Sequence, residues 1–328
     1  MQIFHNTHYD FIKYRWHAIA LSWAVIVAGI VVIAMGKLPL GIDFSGGTAI
    51  VLKFQQATSD ETVRAALDVI PGDKVVQAYG ARDLNEVMVR LPQQQGKEQG
   101  TNLEIGSKQV VDALNRAKVG TFEVLSTEIV GPTVGEDLRQ KGVYAGVFSL
   151  LGILGYIAMR FRFSFAVGAV IATLHDAFIT FAFLAFFGYE LSLNVIAALL
   201  TITGYSVNDT IVIFDRVREN MRLLRKESLY DVVNKSVNQT LGRTIITAGT
   251  TFLSVLALFL FGGEVLRGFA FTMLVGIIWG TYSSVFIAAS IAILLERRKA
   301  GGRASTAAAV AESPRRGESR NRQGSRAS

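Results

Sequence analysis

The sequence predicts a polytopic α-helical membrane protein carrying one small α+β domain outside the lipid. Three observations predict it. Of 328 residues, 51% are hydrophobic and only 18% are charged, whereas an average soluble domain is about 25% charged. Six charge-poor segments, 18–36, 142–159, 163–189, 191–214, 244–263 and 268–295, are each at least 18 residues long, against the ~20 residues a helix needs to cross about 30 Å of hydrocarbon. Between the first and second of them lie about a hundred residues of mixed polarity, room for a small domain.

Each segment reads as a helix because a chain in lipid must satisfy its own backbone N–H and C=O groups. A short leader, residues 1–17, carries Lys13 and Arg15 ahead of the first segment. That segment exceeds the roughly 7–15-residue apolar core of a cleaved signal and lacks a good cleavage site, so it reads as an uncleaved signal-anchor.

In the domain, 37–139, Ile50, Leu52 and Phe54 alternate with Val51 and Lys53 as in a strand. Thr58-Ser59-Asp60-Glu61 can cap a helix in which Val63, Ala66, Leu67 and Ile70 recur until Pro71-Gly72. Residues 74–79 and 86–91 read as strands joined by a turn at 80–83. A glutamine-rich loop at 93–99 precedes a second helix near 101–118, and 122–130 is a last strand ended by Gly131-Pro132. The order β-α-β-β-α-β is the ferredoxin-like split arrangement. The glycine-rich segment Gly41 to Thr48 lacks the lysine of a phosphate loop and reads as a tight turn into the first strand.

The remaining spans form a five-helix block, 140–295, near 142–159, 163–189, 191–214, 244–263 and 268–295. Between the fourth and fifth spans, 216–239 reads as an amphipathic cytoplasmic segment at the membrane surface, with Val217, Met221, Leu224, Leu229, Val232, Val233 and Val237 on its apolar stripe. Residues 296–328 hold nine Lys or Arg and three Glu without apolar periodicity. They read as a disordered basic tail with weak attraction for membrane and no expected nucleic-acid partner.

Basic residues set the orientation. Lys13, Arg15, Arg160, Arg162 and the arginines of 216–243 fall on one side, and the other side has little more than Gly188-Tyr189-Glu190 and Arg267. The positive-inside rule then makes both termini cytoplasmic. With no cysteine, the chain has neither disulfides nor thiolate sites.

The polar residues inside the spans point to function. Asp209 is the one formal charge in the 24 residues of 191–214, and a charge at a span centre costs roughly 2.5–3.5 kcal/mol on insertion scales, so it marks ion or substrate passage. Arg243, at the start of the fifth span, is its candidate partner: ionised Asp209 beside Arg243 would compete with protonated Asp209 and Arg243 turned away. His175 and Asp176, mid-way along the third span, are further candidates for a proton relay, although adjacent residues point about 100° apart on a helix. Smaller polar residues such as Ser206, Thr247, Thr250 and Thr251 read as helix packing. Gly142 and Gly146, and Gly276 and Gly280, are small-residue pairs suited to close helix approach.

Several of these stretches resemble one family. Gly41-Ile42-Asp43-Phe44-Ser45-Gly46-Gly47-Thr48, His175-Asp176-Ala177-Phe178, Gly204-Tyr205-Ser206-Val207-Asn208-Asp209-Thr210, Asp215-Arg216-Val217-Arg218-Glu219-Asn220 and Arg243-Thr244-Ile245-Ile246-Thr247 stand in the order found in the SecF branch of the SecD/SecF family. The likeness covers roughly residues 10–295. It implies half of a twelve-span transporter of the resistance-nodulation-division (RND) type in the bacterial inner membrane, with SecD supplying the other half. It also implies that residues matching Asp209 and Arg243 move protons to drive the external domains and help translocate unfolded secreted polypeptide. The SecYEG channel and YajC are partners by the same resemblance. No enzyme activity and no cofactor beyond the proton gradient are expected. Two other readings stand beside it: half of a small-molecule or lipid exporter of the same superfamily, and a non-transporting assembly factor of the translocation channel.

Overall fold

The computed structural model describes residues 7–72, 74–79, 84–91 and 103–296. The turn at 80–83, the glutamine-rich loop and residues 297–328 of the basic tail lie outside the described residues.

Among the described residues six helices are long and apolar enough to span a membrane. They are α1 (Arg15–Ala34), α5 (Pro132–Arg160), α6 (Phe163–Phe187), α7 (Leu193–Leu223), α8 (Leu229–Phe261) and α9 (Gly263–Ser283). The last continues through a π-helical turn, Ser284–Ala288, to Glu296. The bundle core lies where α6, α7 and α9 meet, and α1, α5 and α8 flank it. Small residues permit this packing. Ala166, Ala169 and Ala172 of α6 are buried against Ala288, Ala289 and Ala292, and a Cβ on Gly168 would press on the backbone oxygen of Ala288. On α9, a Cβ on Gly276 would collide with Ile202 and one on Gly280 with Ser206, so this small-residue pair marks the crossing with α7. Gly142 and Gly146 share the spacing but make no comparable contact: 146 faces open space and 142 meets only the Phe44 ring.

The α7 helix runs nine residues past Phe214, where the apolar run stops. Charged residues of the last turns continue the helix because backbone bonding and inward packing, not hydropathy, set its length. The segment 216–239 is therefore divided between the end of α7 and the start of α8, joined by a turn at 224–228. Its apolar stripe is not a lipid-facing surface: Val217, Val232, Val233 and Val237 are buried in the bundle core. The two helix ends are stitched by Asn220, which donates to the Ser236 hydroxyl and to Gln239 Oε1, each at 2.8 Å. The N-terminal segment is tied to the same place, with Tyr9 and Phe11 N–H donating to Asn238 and Asn234 at 2.9 and 3.0 Å.

At the other end of the bundle, α2 (Ile42–Ser45) leads into β1 (Gly47–Phe54), α3 (Asp60–Ala66), β2 (Val75–Tyr79), β3 (Glu86–Leu91), α4 (Leu103–Ala117) and β4 (Phe122–Val130). The sheet order is β2-β3-β1-β4 with every pairing antiparallel, the split β-α-β pattern expected from the element order. Ser59 caps α3, its hydroxyl accepting from Thr62 N–H at 3.2 Å. One sheet face, through Ile50, Leu52, Phe54, Val87 and Val89, packs on Val63 and Ala66 of α3, on Leu67 just after it, and on Val110 and Leu114 of α4.

The opposite face overlies the bundle across a cavity of about 680 Å³, where buried Arg90 of β3 pairs with Glu190 of the α6–α7 loop. Burial outweighs the mutual attraction on both partners. It pushes Arg90 below the ordinary arginine range and Glu190 above the ordinary carboxylate range, and Asp43 and Glu128 add to the rise on Glu190. A carboxyl protonated more easily folded than unfolded contributes stability at low pH that is lost as pH rises through its folded value. Glu190→Gln is therefore expected to reduce the gain in stability on acidification towards about pH 5, and to destabilise the protein at about pH 7, because it leaves the buried Arg90 guanidinium without its partner. Thermal unfolding of both proteins at the two pH values checks this.

Candidate functional site: a polar cluster inside the bundle

Asp176 sits on the face of α6 turned towards α7 and α9 and is 3% exposed. Its Oδ2 accepts from the hydroxyls of Ser206 on α7 at 2.6 Å and Ser283 on α9 at 2.8 Å. Its Oδ1 lies 3.0 Å from His175 Nδ1. One carboxylate thus joins the three central helices. A carboxyl so enclosed must have its lone pairs met by donors, since an unpartnered polar group in an apolar interior is costly. Gly280, one turn before Ser284, leaves the space that Ser206 and the carboxylate occupy. Beside it Thr210 and Ser284 share a 2.8 Å hydroxyl contact between α7 and α9, at the first residue of the π-helical turn. Such turns are frequent at functional sites.

Asp209 follows Ser206 by three residues and so lies on the same side of α7. It is also 3% exposed, yet its Oδ2 has no hydrogen-bond partner. Asp209 lies 14 residues before the end of α7 and Arg243 lies 14 residues after the start of α8, so the antiparallel pair puts both about 21 Å from their connecting turn. They are level, and Arg243 is the charged group that acts on Asp209 electrostatically. No ion pair within 4.0 Å joins them among the described residues, and Arg243 is exposed on its helix. Other buried polar atoms of the bundle also lack a partner, among them His175 Nε2, Tyr205 Oη and Thr244 Oγ1.

The four residues singled out in the sequence therefore fall into two arrangements. His175 and Asp176 are joined directly, because the imidazole bends back along the helix to meet its neighbour. Asp209 and Arg243 face each other in height without pairing. Ser283 and Ser284 escaped the sequence reading; a pair of serines in an otherwise apolar span was the available signal. Ser206 turns out to bind across helices, whereas Thr247, Thr250 and Thr251 donate to carbonyls of their own helix at 2.9–3.0 Å. Among the described residues no three His, Asp or Glu converge as metal ligands.

A second structure connects this cluster to the sheet. The glycine-rich segment is not a plain turn. Asp43 Oδ2 accepts from Leu193 N–H, the first residue of α7, at 2.9 Å. Gly41 N–H donates to Leu191 O at 2.7 Å, and Leu191 N–H donates to Pro39 O at 2.8 Å. A Cβ on Gly41 would lie 3.0 Å from Leu191 O and 3.2 Å from Ser192 Cα, so glycine is what allows the two backbones to touch. The carboxylate suits the positive end of α7. The helix that carries Asp209 is thereby fastened at its other end to the base of the sheet domain.

Known proteins match this chain along most of its length. The model for "Protein export membrane protein SecD/SecF, C-terminal" matches residues 109–298, and that for the "SecD/SecF GG Motif" matches 31–58, the segment of the α7 joint. The protein translocase subunit SecF of Koribacter versatilis is 36% identical across 97% of this chain and 98% of its own. That of Desulfurispirillum indicum is 44% identical across 86% and 90%. The crystal structure of SecDF, a translocon-associated membrane protein from Thermus thermophilus, superposes with a TM-score of 0.78 at 35% identity, covering 89% of this chain and 39% of that one. This chain thus spans about two fifths of the SecDF chain and nearly the whole of its SecF relatives. A central carboxylate knot, a glycine joint and these matches along almost the full length agree: the chain belongs to the SecD/SecF family of protein-export membrane proteins.

Proposed function

We propose that this Sec protein-export subunit, paired with SecD, converts proton entry at Asp209 into movement of the external sheet domain that assists translocation of unfolded secreted polypeptide. The observation that carries it is the state of Asp209: buried, with one oxygen unpartnered, and level with an arginine on the neighbouring helix. Ionised, the carboxylate draws Arg243 inward; protonated, it releases it. At ~100 mV one charge crossing the membrane is worth about 2.3 kcal/mol, enough to bias two helix arrangements.

The knot of Asp176, His175, Ser206 and Ser283 lies on the same side of α7 and serves as the relay and the pivot between helices. Between Leu193 and Asp209 α7 is unbroken, so displacement at the carboxylate reaches the Asp43 joint about 24 Å away. Arg243, Thr250 and Ser254 are exposed on α8 at positions that share one side of the helix. This polar side supports closure of the site by SecD spans, as in a repeat transporter whose site lies between its halves. In this reading both termini are cytoplasmic, SecYEG and YajC join the assembly, and transport proceeds without covalent chemistry.

The test is secretion of a reporter into inner-membrane vesicles that contain this chain and SecD, with and without an imposed proton gradient. Higher yield with the gradient, dependent on this chain, is expected. Equal yields would overturn the proposal and favour a scaffold.

A further inference from the structure

At the end of the bundle away from the sheet domain, the joint between α5 and α6 and the last turns of α7 enclose a cavity of about 420 Å³. Its rim holds four arginines: Arg160 and Arg162 from the joint, Arg218 and Arg222 from α7. Its floor is aromatic, with Phe214 of α7 packed edge-on by Phe161 at 6.3 Å and Phe165 at 4.9 Å between ring centroids. The charge on the rim is not balanced. Arg160 meets Asp215 at 3.2 Å and Arg162 meets Glu296 at 3.7 Å. Neither Arg218 nor Arg222, four residues apart on one side of α7, has an acidic partner within 4.0 Å among the described residues.

We propose that this pocket binds the phosphate of an anionic phospholipid, with the headgroup held by Arg218 and Arg222 and the first methylenes of an acyl chain lying against the phenylalanine floor. A guanidinium offers paired N–H donors that match phosphate oxygens. Basic pockets between spans at a membrane surface have this chemistry. The position favours a lipid over a soluble anion, because α5 ends and α6 begins at the rim, at the depth where spans leave the hydrocarbon. The apolar floor also offers nothing to free phosphate. Such a lipid would bridge the α5–α6 joint to the end of the helix that carries Asp209.

The full-length protein in detergent is titrated with phosphatidylglycerol, phosphatidylcholine or inorganic phosphate, and retained adducts are counted by native mass spectrometry. Wild type is expected to retain phosphatidylglycerol preferentially. Arg218→Gln/Arg222→Gln should weaken that retention about thirtyfold, roughly fivefold for each guanidinium near a lipid surface. Arg218→Lys/Arg222→Lys should recover much of it. Lys226→Gln, exposed and outside the pocket, should change it less than about twofold. Equal retention of phosphatidylcholine, unchanged retention by the double Gln variant, or an equal loss with Lys226→Gln would overturn the site. Displacement of the lipid by equimolar inorganic phosphate would overturn the lipid as its occupant. The two exposed arginines can be replaced without opening the core, and the unfolding temperature of each variant confirms that it is folded.

Discussion

Asp209→Asn is expected to abolish the gradient-dependent part of secretion while the protein still inserts, folds and finds SecD. Asn keeps the volume of the buried side chain and cannot ionise. The bundle loses no hydrogen bond from the Oδ2 position, because that oxygen has none, and a buried charge without a partner is itself costly, so a neutral side chain of the same shape relieves that cost. What disappears is the coupling: about 2.3 kcal/mol per charge at ~100 mV, equivalent to roughly fiftyfold in a two-state ratio. In vesicles the variant should give the same yield with and without a gradient, equal to that of wild type without one. Arg243→Gln should act in the same direction, since Arg243 is the charge that distinguishes the two states of the carboxylate. If Asp209→Asn keeps the full gradient response, proton entry is elsewhere and the Asp176 cluster becomes the first place to look.

Asp176→Ala is expected to produce the largest loss of stability among single substitutions in the bundle. The change leaves the Ser206 hydroxyl and one imidazole nitrogen without this partner, and the Ser283 hydroxyl with only the Gly280 carbonyl. Hydrogen bonds between membrane helices average about 0.6 kcal/mol each, which sets a lower bound near ~1 kcal/mol for the two from Ser206 and Ser283. Leaving buried groups without partners costs about 1–3 kcal/mol apiece. Unfolding in mixed micelles should therefore show a loss of about 2–4 kcal/mol. Asp176→Asn keeps an acceptor for the serines and should lose less than about 1 kcal/mol, while still failing to relay a proton. Equal stability of Asp176→Ala and wild type would show that the helices are held by packing of small residues alone.

The two predictions separate the roles of two carboxylates that look alike in hydropathy. Asp176 is fully engaged by donors from three helices, so its removal acts on the structure. Asp209 is enclosed with its Oδ2 unpartnered, so its removal acts on function. Nothing in the local sequence around either residue distinguishes them. The difference lies in Ser283, which is 107 residues from Asp176 along the chain, and in the Asp209 Oδ2 that has no hydrogen-bond partner among the described residues.

The strands and helices of the external domain were legible because their signals are local: alternation in β1, the Ser59 cap of α3 and the paired short strands. The glycine-rich segment was read as a turn because its purpose is remote. Asp43 caps a helix that begins 150 residues later, and Gly41 is small for the sake of Leu191. The 216–239 segment was misplaced for a related reason. An apolar stripe with basic flanks is the same pattern whether it lies on lipid or zips two helix ends together, and burial of Val217, Val232, Val233 and Val237 decides for the second.

By itself the sequence determined that this is a six-span membrane protein with one split β-α-β domain, and that its carboxylates stand where a charge is expensive. Hydropathy, period and capping are properties of neighbouring residues, so they survive without knowledge of the fold. Only the tertiary structure decided which side of each helix faces which neighbour, and at what height. A helix turns about 100° per residue, so the side on which Asp176 meets Ser206 and Ser283, the level shared by Asp209 and Arg243, and the meeting of four arginines over three phenylalanines all depend on rotations and offsets set by packing between distant segments.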